Sequence, residues 1–221
     1  MLSLHAVYKK YNEQKVLENV NLEIGPGELL GVVGKSGVGK TTMLHILAGL
    51  VRPDGGSVRF NDAELSGMSE ERLADFRLRH VGIVFQDFKI FPSLSVADNV
   101  MLALYPRADI PKDEKRRRIK DVLAAVELTH KEKEKAGILS GGEKQRVAIA
   151  RSLVGNPSIL LADEPTGNLD SATSDTIMGL FMKLHAELSA SLVIVTHDAD
   201  IAKRAEKIYE LTAAGLKPAS L

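Results

Sequence analysis

Gly34-Lys35-Ser36-Gly37-Val38-Gly39-Lys40-Thr41 spells G-x-x-x-x-G-K-[ST], a loop whose chemistry suits phosphate. Its glycines let the backbone wrap closely, so that successive N–H groups point at phosphate oxygens. A helix following the loop adds the positive end of its dipole. Lys40 is long enough to reach the β- and γ-phosphates of a nucleoside triphosphate, and the Thr41 hydroxyl suits a magnesium ion. The whole run from Gly34 to Thr42 is read as the nucleotide loop. By itself it says no more than that.

Other chemistry-bearing side chains end apolar runs. Asp163-Glu164 follows Ile159-Leu160-Leu161-Ala162. In a phosphate-loop enzyme, Asp163 is the expected magnesium-side carboxylate. Glu164 can then be the general base that polarises the attacking water, a contribution of about 10²–10⁴-fold. His197 follows Leu192–Thr196 and could hydrogen-bond the γ-phosphate. Gln86 follows Val81–Phe85, and its side-chain oxygen suits either magnesium or the attacking water. Leu139-Ser140-Gly141-Gly142-Glu143-Lys144-Gln145-Arg146 opens a helix with two glycines, a second anion site. One phosphate chain does not need two.

These residues need a scaffold that brings strand ends together. Leu29-Leu30-Gly31-Val32-Val33 and the three apolar runs above read as strands buried on both faces. Helices are expected at Thr41–Gly49, Met68–Arg79, Lys112–Glu127, Gly141–Val154, Ser171–Leu188 and Ala199–Ala205. In the third of these, Ile119, Val122, Leu123 and Val126 make the apolar stripe of an amphipathic helix. Buried strands alternating with helices imply a parallel sheet, and such sheets bind ligands beyond the carboxyl ends of their strands. Four strands would then deliver polar groups to one edge. Leu2, Leu4, Ala6 and the run Val16–Ile24 alternate apolar and polar, which predicts half-exposed antiparallel strands ahead of that core.

The 221 residues are 44% hydrophobic and 26% charged, ordinary for a globular chain and unlike a disordered one. Formal net charge is +0, so no global field attracts nucleic acid or an anionic membrane. Zero cysteines exclude disulfides and thiolate-held zinc. No apolar run has the length of a membrane span, and Met1-Leu2-Ser3-Leu4-His5 has no basic start leading into an apolar stretch. A soluble cytosolic domain is expected. The basic run Lys115-Arg116-Arg117-Arg118 is punctuated by Asp113, Glu114 and Asp121, which reads as a solvated face.

The chain resembles the nucleotide-binding subunit of an ATP-binding cassette (ABC) transporter over nearly its whole length. The matching parts stand in family order: GKSGVGKTT, Gln86, LSGGEKQR, ILLADE, Asn168-Leu169-Asp170 and His197. The resemblance implies ATP and Mg²⁺ as ligands, and a P-loop NTPase core with a mainly parallel α/β sheet. It further implies an N-terminal antiparallel β subdomain and an inserted α-helical subdomain. The core would span residues 1–86 and 156–221, and the helical arm 87–155. Tyr11 matches the family's adenine-stacking aromatic, with Tyr8 and nearby strand residues as alternatives. Two subunits would pack head to tail, Ser140, Gly141 and Gly142 of one closing over ATP on the loop of the other, with Asp170 also at that nucleotide. Glu143 stands where many members carry Gln, and Asn168 where many carry Ser. The usual Asp-Gly turn is missing at Ala213-Ala214-Gly215-Leu216.

Phe85–Val100 with Thr166–Asp170 looks like the branch holding lipoprotein-releasing, macrolide-export and peptide-resistance ATPases, together with the cell-division ATPase. That implies a membrane permease partner and a cytoplasmic place on the inner face of the plasma membrane. Phe88, Ile90 and Phe91 form an apolar cluster suited to that partner. Readings as an ABC ATPase acting on nucleic acid or ribosomes, or as a small P-loop kinase, fit less well. No long heptad run separates Lys40 from Ser140, only one cassette is present, and a kinase leaves LSGGEKQR unexplained.

Overall fold

Alternation at the start of the chain produces a hairpin. In the computed structural model, which describes residues 1–220, β1 (Leu2–Tyr11) lies antiparallel to β2 (Gln14–Ile24). The expected inward position at Ala6 is not used. A register shift between Leu4 and Val7 puts Ala6 outside with φ +48°, and Val7 takes the buried place. That is the effect of a bulge, which adds a residue and re-aims those beyond it. Two further strands, β4 (Gly55–Phe60) and β5 (Ala63–Glu64), complete a four-stranded sheet in the order β2-β1-β4-β5.

The second sheet holds β3 (Leu29–Val33), β6 (Val81–Val84), β7 (Ile159–Asp163), β8 (Ser191–Thr196), β9 (Lys207–Thr212) and β10 (Gly215–Pro218). Its order is β10-β9-β3-β8-β7-β6, parallel throughout except that β10 returns antiparallel on β9. Alternate residues face two cores. Leu30, Val32, Leu161, Val193 and Val195 join one with β1, β2 and helix α1 (Lys40–Leu47). Leu160, Ala162, Leu192 and Ile194 join the other. There they meet α3 (Val96–Met101), α4 (Lys112–Ala125), α5 (Gly141–Leu153) and α6 (Ser171–Glu187). Each such side chain contributes about 1.5–3 kcal/mol on burial. A sheet filled on both faces holds its strand ends rigidly in line.

Three expectations need correction. β6 is an edge strand, so Val81 and Ile83 stay half-buried where burial on both faces was expected. The last helix, α7, stops at Ala199–Ala202, capped by Asp198, which receives the Asp200 and Ile201 amides. The short elements β4, β5, β9, β10 and α3 were not anticipated. Helix α2 (Glu70–His80) starts two residues later than expected, on the Ser69 cap. The basic run lies on α4 with Arg117 and Arg118 paired to Glu114 and Arg116 paired to Asp113.

Candidate nucleotide site

Register decides which side chains share the sheet edge. Val33 of β3 stands opposite Thr196 of β8, Val195 opposite Asp163 of β7, and Ala162 opposite Val84 of β6. The residues next beyond these strands therefore lie side by side: Gly34, His197, Glu164 and, two past Val84, Gln86. The sequence reading placed them at one edge, and the structure brings them there.

The loop before α1 is shaped by what it touches. A Cβ at Gly34 would come within 2.6 Å of the Leu211 carbonyl, and one at Gly39 within 2.8 Å of the Val16 carbonyl. Gly37 and Gly39 also hold φ of +77° and +110°, the left-handed region that favours glycine. Lys35, Ser36 and Val38 fill the turn between, and α1 begins at Lys40 ahead of Thr41 and Thr42. Lys40 is 7% exposed. Its Nζ donates to the Gly34 carbonyl at 2.8 Å and the Lys35 carbonyl at 3.3 Å, folding over the loop it would share with a triphosphate.

Lys40 Nζ also lies 3.6 Å from Glu164 Oε1. Glu164 Oε2 is 2.8 Å from His197 Nδ1 and accepts the His197 amide at 3.2 Å. Glu164 takes φ +45°, rarely adopted by a non-glycine residue, and its N–H donates to the Val195 carbonyl at 2.9 Å. Backbone strain of this kind persists where surroundings over-determine it. The three side chains, Lys40, Glu164 and His197, form one connected group.

Thr41 Oγ1 donates to Asp163 Oδ1 at 3.2 Å. A hydroxyl and a carboxylate side by side are hard oxygen donors, the set that suits Mg²⁺ when substrate phosphates complete it. Burial holds the Asp163 carboxyl above its ordinary pKa, opposed by the Thr41 hydrogen bond and by nearby His45. A folded-state pKa raised above the unfolded one means that ionised Asp163 costs stability above that folded pKa, a cost that fades below it. Asp163→Asn keeps an acceptor for Thr41. With no nucleotide or metal added, it should raise the melting temperature at pH 8, a gain that shrinks as pH falls through the raised Asp163 pKa towards the ordinary carboxylate range. Equal or lower melting at pH 8 would count against a strained carboxylate here.

Some expected site residues lie elsewhere. Ser140 caps α5, its Oγ accepting from the Glu143 amide while Glu143 Oε2 accepts the Ser140 amide at 2.8 Å. Gly141 and Gly142 lie against Leu169 and Thr173. Among the described residues, no hydrogen bond or ion pair joins residues 139–143 to the loop at 34–42. Asp170 caps α6, accepting from the Thr173 amide at 3.0 Å and its hydroxyl at 2.6 Å, and the hydroxyl bond lowers its pKa. Its carboxylate faces its own helix.

Tyr11 ends β1, 48% exposed, with Lys9 Nζ 5.4 Å from its ring centre. The contact between Gly39 and Val16 brings that hairpin to the nucleotide loop. Tyr8, the alternative, packs on Gly55 of β4. Of the apolar trio, Phe91 is 53% exposed, while Phe88 and Ile90 are half-buried and Ile90 also packs against the helical core. Sequence reasoning missed two links: Asn168 Nδ2 to the Gln86 carbonyl at 2.9 Å, and Gln145 Nε2 to the Pro165 carbonyl at 2.5 Å. The second had a signal. Gln145 falls on the face of α5 shared by Ala148, Ile149 and Ser152, where a polar residue is out of pattern.

The family profile described as ABC transporter matches residues 17–167. A lipoprotein-releasing system ATP-binding protein, LolD, of Bacteroides thetaiotaomicron is 38% identical over 98% of this chain and 99% of its own. The macrolide export ATP-binding/permease protein MacB of Syntrophobacter fumaroxidans is 37% identical over 100% of this chain but 32% of its own. Among solved structures, the ATP-binding cassette MJ0796, in a dimeric post-hydrolysis state bound to ADP and Pi, superposes with a TM-score of 0.89. It is 38% identical and covers 100% of this chain and 99% of its own.

Proposed function

The chain belongs to the ABC transporter family, and from that premise we propose that it is an ATPase subunit working as a head-to-tail pair beneath a membrane permease. It binds ATP with Mg²⁺ and hydrolyses it. The observation that carries the paired arrangement is the separation of two anion-binding helix starts within one chain. The loop at 34–41 holds the triphosphate, while Ser140–Gly142 opens α5 without touching that loop. A second copy supplies the missing half.

Each side chain then has a task. The backbone of residues 34–39 cradles the phosphates, and Lys40 exchanges its carbonyl partners for β- and γ-oxygens. Thr41 and Asp163 would hold Mg²⁺, which when bound would offset phosphate charge, and Gln86, its side chain lying against Gly167, would approach from the end of β6. Glu164 takes the proton of the attacking water, oriented by its bond to His197 and poised by Lys40. His197 is near enough to reach a γ-phosphate as well. Tyr11 stacks on the adenine, and Asp170, close to Gly142 through Thr173, lines the closure. Residues 87–155 form the arm that carries the closing helix.

Among the described residues no helix is long and apolar enough to cross a membrane. A cleft of about 550 Å³ along β6, between Leu78, Val81, Ile83, Ala103, Pro106 and Arg151, offers a membrane partner an apolar seat on the core-to-arm boundary. The relatives named for lipoprotein release and macrolide export support a partner of that kind, on the cytoplasmic face of the plasma membrane. On α4, Arg116, Arg117 and Arg118 are paired with Asp113 and Glu114.

The test is Mg²⁺-dependent ATP hydrolysis by the purified chain. Lys40→Ala should lower it by at least about 10²-fold, the scale of one lost charge-stabilising donor, with the fold retained. Undiminished turnover in Lys40→Ala, or none in the parent chain, would overturn the reading.

A further inference from the structure

Gln145 is fully buried on α5, one turn in from Ser140–Gly142. Its Nε2 donates to the Pro165 carbonyl at 2.5 Å, twenty residues along the chain. Its Oε1 is buried with no partner. Turning the amide over would set that oxygen against a carbonyl oxygen, so the donor assignment follows from the partner. A buried acceptor without a partner is a standing penalty, and an apolar residue of the same shape would only move it to the Pro165 carbonyl, which takes its hydrogen bond from Gln145.

What it holds is the turn after Glu164. Pro165 directly follows Glu164, which sits at φ +45° with its amide on Val195, and the Gly167 amide closes the turn on the Glu164 carbonyl at 3.0 Å. Asn168 ties the far side of the turn to the Gln86 carbonyl. Gln145 is the brace from the arm side. It links the helix whose first turn faces the second copy's nucleotide to the base of this chain's own site.

We propose that Gln145 is a positioning residue for Glu164, holding the base where it can take the water proton and moving it when α5 moves. The inference rests on the reading of Glu164 as the base. Gln145→Met keeps the length and removes the donor together with the orphan oxygen. We expect kcat to fall about tenfold or more, KM for ATP to stay within about twofold, and melting to change little, because the orphan oxygen leaves as the Pro165 carbonyl loses its donor. In a Glu164→Gln background, the same change should leave the residual rate unaltered and the ATP-loaded dimer intact, because its target is already gone.

Unchanged kcat in Gln145→Met would overturn the proposal. So would lower melting together with loss of the ATP-loaded dimer, which would make Gln145 an anchor of α5 only. Gln145→Leu serves as the second variant should Met pack poorly, and failure of both to fold also makes it an anchor. Absence of ATPase activity in the parent chain would instead strike the proposed function, so the two failures are separable.

Discussion

Glu164→Gln leaves ATP bound and brings turnover down by about 10²–10⁴-fold, the range assigned to a positioned general base. The substitution keeps the shape and still offers an oxygen to His197, now 2.8 Å away. Lys40, the other neighbour, has the Gly34 and Lys35 carbonyls to hold it when the charge at 3.6 Å is removed. Loss of a negative charge beside the incoming γ-phosphate also favours nucleotide retention. The fold therefore survives while the proton acceptor does not. Rates close to the parent's, measured by phosphate release at saturating Mg²⁺-ATP, would remove Glu164 from the role of base.

Ser140→Arg has an effect of similar size by a different route. Its local cost is a lost helix cap, about 1 kcal/mol, which lowers melting by about 2–4 °C in a chain of this length. Its functional cost is larger, because a long cation replaces the small hydroxyl that would close over the second copy's triphosphate. Hydrolysis should be lost while nucleotide affinity of the single chain stays within about twofold, since no bond joins residues 139–143 to the nucleotide loop. Ser140→Ala, which removes the hydroxyl without adding bulk or charge, separates the lost cap and hydroxyl contact from the effect of the cation. Turnover by Ser140→Arg at the parental rate would mean that α5 does not complete the site.

Much of this was legible in the sequence because it rests on short-range signals. The nucleotide loop combines a fixed spacing with a strand before it and a helix after it. The four polar groups beyond apolar runs were predicted to share an edge, and a parallel register forces that whatever the loops do. Signals failed where tertiary context decides. Ala6 lost its inward place to a bulge that period-two counting cannot detect. Val81 and Ile83 look like central-strand residues, but strand order puts β6 at the edge. Asp170 was placed by motif order, which does not reveal that its carboxylate also caps α6.

The paired site is the centre of the account, and the mass of the ATP-loaded Glu164→Gln chain tests it most directly. Light scattering with Mg²⁺-ATP should give twice the mass of one chain with two nucleotides per particle. Adding Ser140→Arg to the same chain should return it to a single-chain mass with nucleotide still bound. A Glu164→Gln chain that holds ATP and remains single, or a pair that forms equally well with Ser140→Arg present, would contradict the account.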